Sequence, residues 1–407
     1  MKIGIAHGWG WEVGGAEVYL RGLIPALHEL GHEVSMGYVL PSADPAKGPY
    51  WSDAVGSYNL SESGPMGLEG FLHWDPDLIY VNIVLDTRIW DGFLGSRFAC
   101  VYFAHSFMAT CVSGSKTHRW PRVEPCTKTL GLGCLLHYFP RRCGGLSPVT
   151  MLNAFVQQTA LLKRVRRCNR VLTHSEHMRA ELARHLGQDQ VQRIPFCLPG
   201  FDQPQVDGAS GGRCDRDTVN LLFLGRLEDE KGGRYLLEAL PKIRLSAGQK
   251  LRLVIAGQGT RASSWQALAK GIQEAHPWIR TEFVGWVEGA DKTEAIAEAD
   301  IFVMPSVWPE PLGMAPLEAL SMGVPVAGFP RGGYAEHIQD GVNGYLAPEP
   351  VSAAGLASAI QNCIHDKTLR AGVGLQGSRR IVSVAEHALE LESVFKQVLD
   401  GSGQPNI

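Results

Sequence analysis

The sequence predicts an α/β fold made of two open parallel sheets, and three observations support this. Short apolar runs, typical of buried parallel strands, alternate with stretches of helical periodicity along both halves of the chain. A polar stretch rich in Gly, Asp and Ser, at 202–217, interrupts this alternation once. The length of 407 residues favours two domains over one.

The first half begins with the apolar strand KIGIA (2–6), a glycine-rich loop carrying Gly14 and Gly15, and a helical stretch that Gly31 ends. This is a strand–helix–strand unit, because the apolar run EVSMGYVL follows at once. Later apolar runs predict the remaining strands of this half, at 33–40, 77–82, 99–105, 170–175 and around 195–196.

The second half restarts the alternation with VNLLFLGRL (219–227). Further strands are predicted at 251–257, 281–286 and 299–305, with helices between them. These patterns divide the chain into an N-terminal domain (1–201), a linker (202–218) and a C-terminal domain (219–385). A final amphipathic helix with its tail (386–407) is expected to pack back on the first domain.

Composition narrows the class of protein. With 45% hydrophobic residues, 19% charged residues and a net charge of −3, the chain is typical of a soluble globular protein and gives no support for nucleic-acid binding. No apolar stretch approaches the ~18 residues of a membrane span. The first residues lack the charged-then-apolar plan of a signal peptide, so a cytoplasmic protein is expected.

The most informative segment is PSVWPEPLGMAPLEALSMGVPVAG, in which Glu310 and Glu318 stand on either side of Gly313. Glu310 lies on the loop that leaves a predicted strand, and Glu318 lies in the early turns of the next helix. The first N–H groups of a helix attract phosphate, and a carboxylate accepts hydrogen bonds from sugar hydroxyls. The segment therefore predicts a site for a nucleotide sugar.

The chain as a whole resembles glycosyltransferase family 4, on an ordered series of motifs. These are VGGAE (13–17), FLGRLEDEKG (223–232), VIAGQG (254–259), FVGWV (283–287), the glutamate segment just described, GGYAEHIQDG and NGYL (343–346). The resemblance implies a GT-B fold, in which two Rossmann-like doubly wound parallel-sheet domains face each other across a cleft. It also implies a retaining hexosyltransferase that acts without a catalytic cofactor.

The resemblance further implies a role for each matching residue. Four catalytic residues are expected: Glu310 and His105 at the transferred sugar, and Arg226 and Lys231 at the donor's phosphates. Six residues are expected to bind the donor, with Glu318 on the ribose and backbone groups on the diphosphate: Gly14, Gly15, Gly313, Met314, Ala315 and Glu318. From charge alone, a solvated loop is the alternative for Arg226 and Lys231, and scaffolding is the alternative for His105. A tight turn without a ligand is the alternative for Gly14 and Gly15. For Glu318 the alternative is that it caps its own helix or pairs on the surface.

The insert at 106–146 departs from the commonest pattern of that family. It carries Cys111, Cys126, Cys134 and Cys143, with His118 and His137 nearby. Two interpretations stay open, a structural zinc site and ordinary reduced thiols, because the spacings are longer than those of common zinc motifs. Its position beside His105 predicts an influence on acceptor choice.

The basic run LLKRVRRCNR (161–170) also has two interpretations. It could rest on anionic lipid at the inner face of a membrane, or it could be the solvated face of a helix.

Together these patterns predict transfer of a sugar from a nucleoside-diphosphate sugar to the hydroxyl of a glycan or glycolipid acceptor, in cell-surface polysaccharide or glycolipid synthesis. Two alternatives remain. One is a sugar-nucleotide epimerase or phosphorylase on the same fold, and the other is a catalytically silent sugar-nucleotide-binding partner subunit.

Overall fold

The computed structural model describes residues 1–41, 48–200, 217–366, 369 and 381–401. The chain divides into two compact units. The first comprises Met1–Arg122, Cys126–Asp202 and Ile381–Ile407, and the second comprises Val123–Pro125 and Gln203–Arg380. The predicted linker, 202–218, lies almost wholly outside the described residues.

The first unit is built on a parallel sheet of seven strands. In chain order these strands are β1 (Lys2–Trp9), β2 (Glu33–Leu40), β3 (Gly56–Asn59), β4 (Leu78–Val81), β5 (Ala99–Phe103), β8 (Arg170–Thr173) and β9 (Val191–Arg193). They lie in the order β3-β2-β1-β4-β5-β8-β9, with parallel pairing throughout. The order reverses between β1 and β4, where a doubly wound sheet opens a crevice at the carboxyl ends of its strands.

The helices of this unit follow the strands as the alternation predicts. They are α1 (Gly15–Glu29), α2 (Leu68–His73), α3 (Thr87–Gly95), α4 (Gly133–Tyr138), α5 (Pro148–Val165) and α6 (Glu176–Leu186). Two short strands, β6 (Thr117–His118) and β7 (Glu124–Pro125), lie in the insert. Ser147 and Ser175 cap α5 and α6 through their hydroxyl groups, which accept the N–H groups of Thr150 and Met178.

One predicted strand takes a different place. The run around 195–196 was expected to close the first sheet, but β9 closes it. Phe196–Cys197 forms a separate strand, β10, which pairs in parallel with Ile381–Val382 (β17). The polypeptide chain thus returns to the first unit after it has completed the second.

The helix α12 (Val384–Leu399) completes the first unit and packs against α1. Ser383 and Glu386 form a capping box at its start. His387, fully buried, lies between Tyr19 Oη at 2.8 Å from its Nε2 and the carbonyl oxygen of Pro195 at 2.7 Å from its Nδ1. Nδ1–H therefore donates to Pro195, and Nε2 accepts the Tyr19 hydroxyl.

The second unit contains a parallel sheet of six strands. These are β11 (Thr218–Leu224), β12 (Lys250–Ala256), β13 (Ile279–Gly285), β14 (Ile301–Met304), β15 (Val326–Gly328) and β16 (Gly344–Leu346). The order is β13-β12-β11-β14-β15-β16, so this sheet reverses between β11 and β14. Its helices are α7 (Gly233–Ala239), α8 (Ala262–Ala275), α9 (Gly289–Glu298), α10 (Met314–Ser321) and α11 (Ala353–His365).

None of the helices in the described part of the chain combines the length and the apolar character needed to cross a membrane.

Candidate active site

The reversal point of the second sheet brings two loops together. One follows β11 and includes residues 225–232, and the other follows β14 and includes residues 305–313. The Val307 N–H donates to the carbonyl oxygen of Glu230 at 3.0 Å, and Ser306 Oγ lies 3.2 Å from the same oxygen. Gly232 has φ +69°, and a Cβ there would lie only 1.8 Å from the Pro305 carbonyl oxygen. Only glycine allows the two loops to approach this closely.

Lys231 and Glu310 meet where these loops touch. Lys231 Nζ lies 2.5 Å from Glu310 Oε1, and the Ser306 hydroxyl donates to the same oxygen at 2.9 Å. The side chain of Glu310 is 5% exposed and that of Lys231 is 14% exposed. Lys231 Nζ also lies 4.9 Å from the centre of the Trp308 ring, a cation–π contact. The structure thus brings together two predicted catalytic residues, and it adds Ser306 as an anchor for the carboxylate.

Arg226 is on the same loop as Lys231, but its side chain is exposed. Its Nη2 lies 3.6 Å from Glu230 Oε1, a loose contact. A guanidinium that is held so weakly can turn toward an anionic ligand at little cost in free energy.

The backbone supplies further positive charge at the start of α10. Gly313 precedes this helix with φ +82°, a conformation that favours glycine, and Met314 and Ala315 are its first two residues. The first N–H groups of a helix have no acceptor within the helix, and they carry the positive end of its dipole. Pro316, as the third helical residue, falls in the first turn, where its missing N–H has no intrahelical role. The helix therefore begins where the sequence predicted, and phosphate binding at its start stays a prediction.

Glu318 is buried in α10, and it is not the surface residue of the alternative interpretation. Its Oε1 accepts a hydrogen bond from Lys292 Nζ, on α9, at 2.9 Å. Lys292 could not be singled out from the sequence, because KTEAIAEA has the pattern of an ordinary solvated helix and belongs to none of the motifs.

In the first unit, Gly14 and Gly15 lie at the β1–α1 turn as predicted. Gly14 has φ −171°, an extended conformation that any residue adopts, and Gly15 begins α1. The turn is held by Glu17, whose Oε2 accepts the Gly14 N–H at 2.7 Å and whose Oε1 lies 2.5 Å from His7 Nε2. Burial acts to raise the pKa of the Glu17 carboxyl, but the hydrogen bond and charge of His7 outweigh it, and the pKa lies below its usual value.

His105 belongs to the same unit. It was predicted to be the last residue of its strand, but β5 ends two residues before it, at Phe103. The Nε2 atom of His105 lies 2.8 Å from Asn82 Oδ1, just after β4. Burial, with a smaller contribution from the charge of His7, lowers the pKa of His105 to about 3. The ring is therefore neutral near pH 7, and with Nε2–H donating to Asn82 its Nδ1 is an acceptor. Asn82 was not singled out from the sequence, although it ends the predicted strand DLIYVN.

The cysteines of the insert lie near one another in space. Burial raises the pKa of the Cys143 thiol to about 11, with smaller contributions from Cys126, Cys111 and Cys134. Cys143 Sγ lies 3.5 Å from His118 Nδ1. Within the described ranges, no group of three or more His, Cys, Asp or Glu side chains is arranged to hold a metal ion. Zinc binding by this cluster stays a prediction.

The basic run at 161–170 does not present an apolar face. Leu161, Leu162 and Val165 are buried at the end of α5. Arg164, in the same run, donates to both carboxylate oxygens of Asp91, at 2.9 and 2.6 Å. Without exposed apolar side chains, this run has the character of a solvated edge.

Comparison with known proteins gives a match in the second half of the chain. Residues 214–380 match the family model for Glycosyl transferases group 1. An uncharacterized glycosyltransferase of Methanocaldococcus jannaschii is 28% identical over 353 residues, 82% of each chain. A glycogen synthase of Mycobacterium tuberculosis is 31% identical over 202 residues, and a phosphatidyl-myo-inositol mannosyltransferase of Mycolicibacterium smegmatis is 30% identical over 200 residues. The alignments to these two span about half the length of each relative (47% and 48%).

Solved structures show the same fold over the full length. The Anabaena protein HepE, in complex with UDP and glucose, has a TM-score of 0.66 at 18% identity, with 98% of this chain and 100% of that chain covered. Sucrose-phosphate synthase from Thermosynechococcus elongatus has a TM-score of 0.67 at 20% identity, with 98% and 99% covered. The predicted GT-B class, with two Rossmann-like parallel-sheet domains, is confirmed, and together the matches support a glycosyltransferase.

Proposed function

We propose that this protein is a retaining glycosyltransferase of family 4 that moves a hexose from a nucleoside-diphosphate sugar to an acceptor hydroxyl. The observation that carries the proposal is the contact between Lys231 and Glu310 at the reversal point of the second sheet. A cation and a carboxylate from two different loops meet there, in the unit that also holds the free N–H groups at the start of α10.

The roles follow from how charge moves during transfer. As the glycosidic bond breaks, negative charge grows on the departing diphosphate and positive charge grows on the anomeric carbon. Lys231, Arg226 and the N–H groups of Met314 and Ala315 supply fixed positive charge for the diphosphate. Such preorganised groups are often the largest contribution to catalysis, and removing one costs about 100-fold or more in rate. These groups suffice for the leaving group without a catalytic cofactor.

The two buried glutamates are proposed to bind the uncharged sugar groups of the donor. Glu310 is proposed to contact the transferred sugar, and its orientation is held by Lys231 and Ser306. Glu318 is proposed to accept the ribose hydroxyls, and Lys292 holds its carboxylate from α9. Neither glutamate needs to act as a strong base, because the departing phosphate can accept the proton of the incoming hydroxyl on the same face of the sugar.

We propose that the first unit binds the acceptor. Neutral His105 is proposed to offer Nδ1 to a hydroxyl of the transferred sugar, and the β1–α1 turn at Gly14 and Gly15 is proposed to offer backbone groups to the donor. We also propose a role in cell-surface polysaccharide or glycolipid synthesis, at the inner face of the membrane, and two relatives named for the synthesis of such molecules support the role. These are the mannosyltransferase named above and a lipopolysaccharide 1,2-N-acetylglucosaminetransferase of Salmonella typhimurium.

A thermal-shift screen of UDP-, GDP- and ADP-sugars tests the donor site. A ligand that binds only the folded state raises the melting temperature according to its concentration relative to its Kd. One nucleotide class is expected to stabilise the protein, and the Glu318→Ala variant is expected to lose that stabilisation. If no nucleotide sugar shifts the wild type, the proposed donor site is wrong.

Slow hydrolysis of the bound donor then separates an enzyme from a silent binding subunit. We expect release of nucleoside diphosphate together with a sugar of unchanged anomeric configuration at the moment of release, as followed by NMR. Release of the inverted anomer would contradict the retaining mechanism. Donor binding without any turnover, with or without a panel of acceptors, would favour the silent subunit.

A further inference from the structure

The insert and the helix after it present an apolar surface that none of the described residues of the unit covers. Six aliphatic side chains are more than half exposed there. They are Leu132 (76%), Leu136 (78%), Leu146 (77%), Val149 (68%), Leu152 (52%) and Val156 (58%). We call these six residues the α4–α5 apolar surface. Solvated aliphatic side chains are ordinary when they are scattered singly, but six from one continuous stretch of chain indicate a binding surface.

The geometry of the two helices makes this a single surface. Helix α4 packs against α5, so Leu136 and the residues of α5 belong to neighbouring elements. Val149, Leu152 and Val156 are spaced three and four residues apart and lie on one face of α5. The first buried residue of α5 is Gln158, so roughly its first ten residues project away from the core of the unit.

The charge of the chain segment that carries this surface indicates what the surface binds. Between Asp91 and Glu176 the chain carries twelve Lys and Arg residues and a single acidic residue, Glu124. The whole chain has a net charge of −3, so the segment has a formal charge of +11 and the remainder −14. Some of these cations pair with carboxylates outside the segment: Arg97 with Asp75, Lys116 with Glu181 and Arg164 with Asp91. The others leave the segment strongly positive. An apolar surface embedded in such a positive segment is complementary to a layer of anionic head groups above an apolar interior.

One turn beside α4 combines both features. The Arg142 guanidinium lies 5.1 Å from the centre of the Trp120 ring, and the Trp120 side chain is itself half exposed. The N–H groups of Arg119 and Trp120 both donate to the carbonyl oxygen of Arg141, at 2.8 and 3.2 Å, which ties this turn to the end of the α4 segment. Tryptophan and arginine placed together suit the boundary between head groups and acyl chains.

We infer that the α4–α5 apolar surface, with the Trp120–Arg142 turn, docks the first unit onto a bilayer that contains anionic phospholipid. The aliphatic side chains enter the head-group boundary, and the arginines at 119, 141 and 142 lie at the phosphates. This differs from the basic run at 161–170, whose apolar residues are buried. The inference does not depend on sugar transfer, because it rests on exposure and charge alone.

Sedimentation with vesicles tests the inference on the full chain. We expect the protein to pellet with vesicles of phosphatidylcholine mixed with phosphatidylglycerol, and to stay in the supernatant with phosphatidylcholine alone. A triple variant, Leu136→Glu, Val149→Glu and Leu152→Glu, is expected to lower the partition coefficient by more than about 100-fold. Arg142→Glu alone is expected to lower it by about fivefold or more, since each basic residue near such a surface contributes on that scale.

Matched controls carry the same substitution on exposed apolar residues elsewhere. Leu389→Glu, on α12, and Val284→Glu, in the second unit, are expected to leave vesicle binding unchanged. The triple variant is expected to keep the wild-type melting temperature and its shift with nucleotide sugar. Equal binding to both kinds of vesicle, or full binding by the triple variant, would overturn the inference. So would a wild type that ignores vesicles and forms a dimer, by light scattering, that the triple variant loses.

Discussion

Lys231 and Glu310, 79 residues apart in the chain, are joined by a contact of 2.5 Å between Nζ and Oε1. They meet because β11 and β14 are neighbours in the sheet although β12 and β13 lie between them in sequence. A doubly wound sheet places the loops of such neighbours side by side. The contact is thus a product of topology, and it can be tested as a unit.

We expect Lys231→Ala and Glu310→Gln each to lower kcat/KM for sugar transfer by about 100-fold or more. Combining them is expected to cost little beyond the worse single variant, because residues that act as a unit are not additive. Circular dichroism checks that both variants remain folded. The exposed pair Arg234 and Glu238, joined at 2.7 Å on α7, provides the control, and Arg234→Ala with Glu238→Gln should change kcat/KM little. Fully additive losses would argue against a joint role.

Gly332 is expected to be required for the position of Glu310. Its φ is +82°, and an added Cβ would lie 2.2 Å from the Glu310 carbonyl oxygen and 2.3 Å from its nitrogen. Gly332→Ala should therefore lower the free energy of unfolding by roughly 1–3 kcal/mol and reduce transfer. Gly271→Ala, at an open position within α8, should be neutral or stabilising by ~0.5–1 kcal/mol. Wild-type activity and stability in Gly332→Ala would show that the loop can move freely.

Lys292 is expected to act as a positioning residue through Glu318. Lys292→Met should raise KM for the donor by about tenfold, a loss of ~1.4 kcal/mol, with kcat little changed. Lys292→Arg should recover most of the affinity, because it preserves the ion pair. Lys270→Met, on the exposed face of α8, is the control for loss of a lysine. A fall in kcat with unchanged KM would instead place Lys292 near the transferred sugar.

His387 is expected to make the first unit sensitive to acid. Burial lowers the pKa of His387 from 6.5 to about 4, against the opposing hydrogen bond with Pro195. As the pH falls, His387 therefore becomes protonated in the unfolded chain at a higher pH than in the folded protein. Stability contributed by the neutral ring is complete above pH 6.5 and falls as pH drops toward 4, by roughly 3 kcal/mol. His105 adds to the same loss, since its pKa is lowered to about 3.

Urea unfolding at several pH values measures this dependence. His387→Gln should be less stable than the wild type at pH 7.5, and its free energy of unfolding should fall less steeply between pH 6.5 and 4. His365→Gln, on the exposed side of α11, should leave the slope unchanged. Parallel slopes for wild type and His387→Gln would rule out a contribution from this ring.

The sequence allowed the long elements and the motif-bearing loops to be predicted, because both leave local signals. β2, β12 and the turn at Gly313 lie within a residue or two of their expected places. Short strands were missed, since GSYN (β3), VQR (β9) and GYL (β16) show no periodicity and exist only through pairing with neighbours. Side-chain partners supplied by another element were also missed. Lys292 and Asn82 meet Glu318 and His105 only after folding.

The hydrogen bond between Tyr19 and His387 spans 368 residues. On a ribosome, the residues that complete the first unit leave the exit tunnel after nearly all of the second unit has been synthesised. The second unit, whose six-stranded sheet falls between 218 and 346, can therefore form while Tyr19 and Tyr80 still lack their covering helix. Nascent chains of this protein should thus need protection of that apolar surface until residues 381–401 arrive.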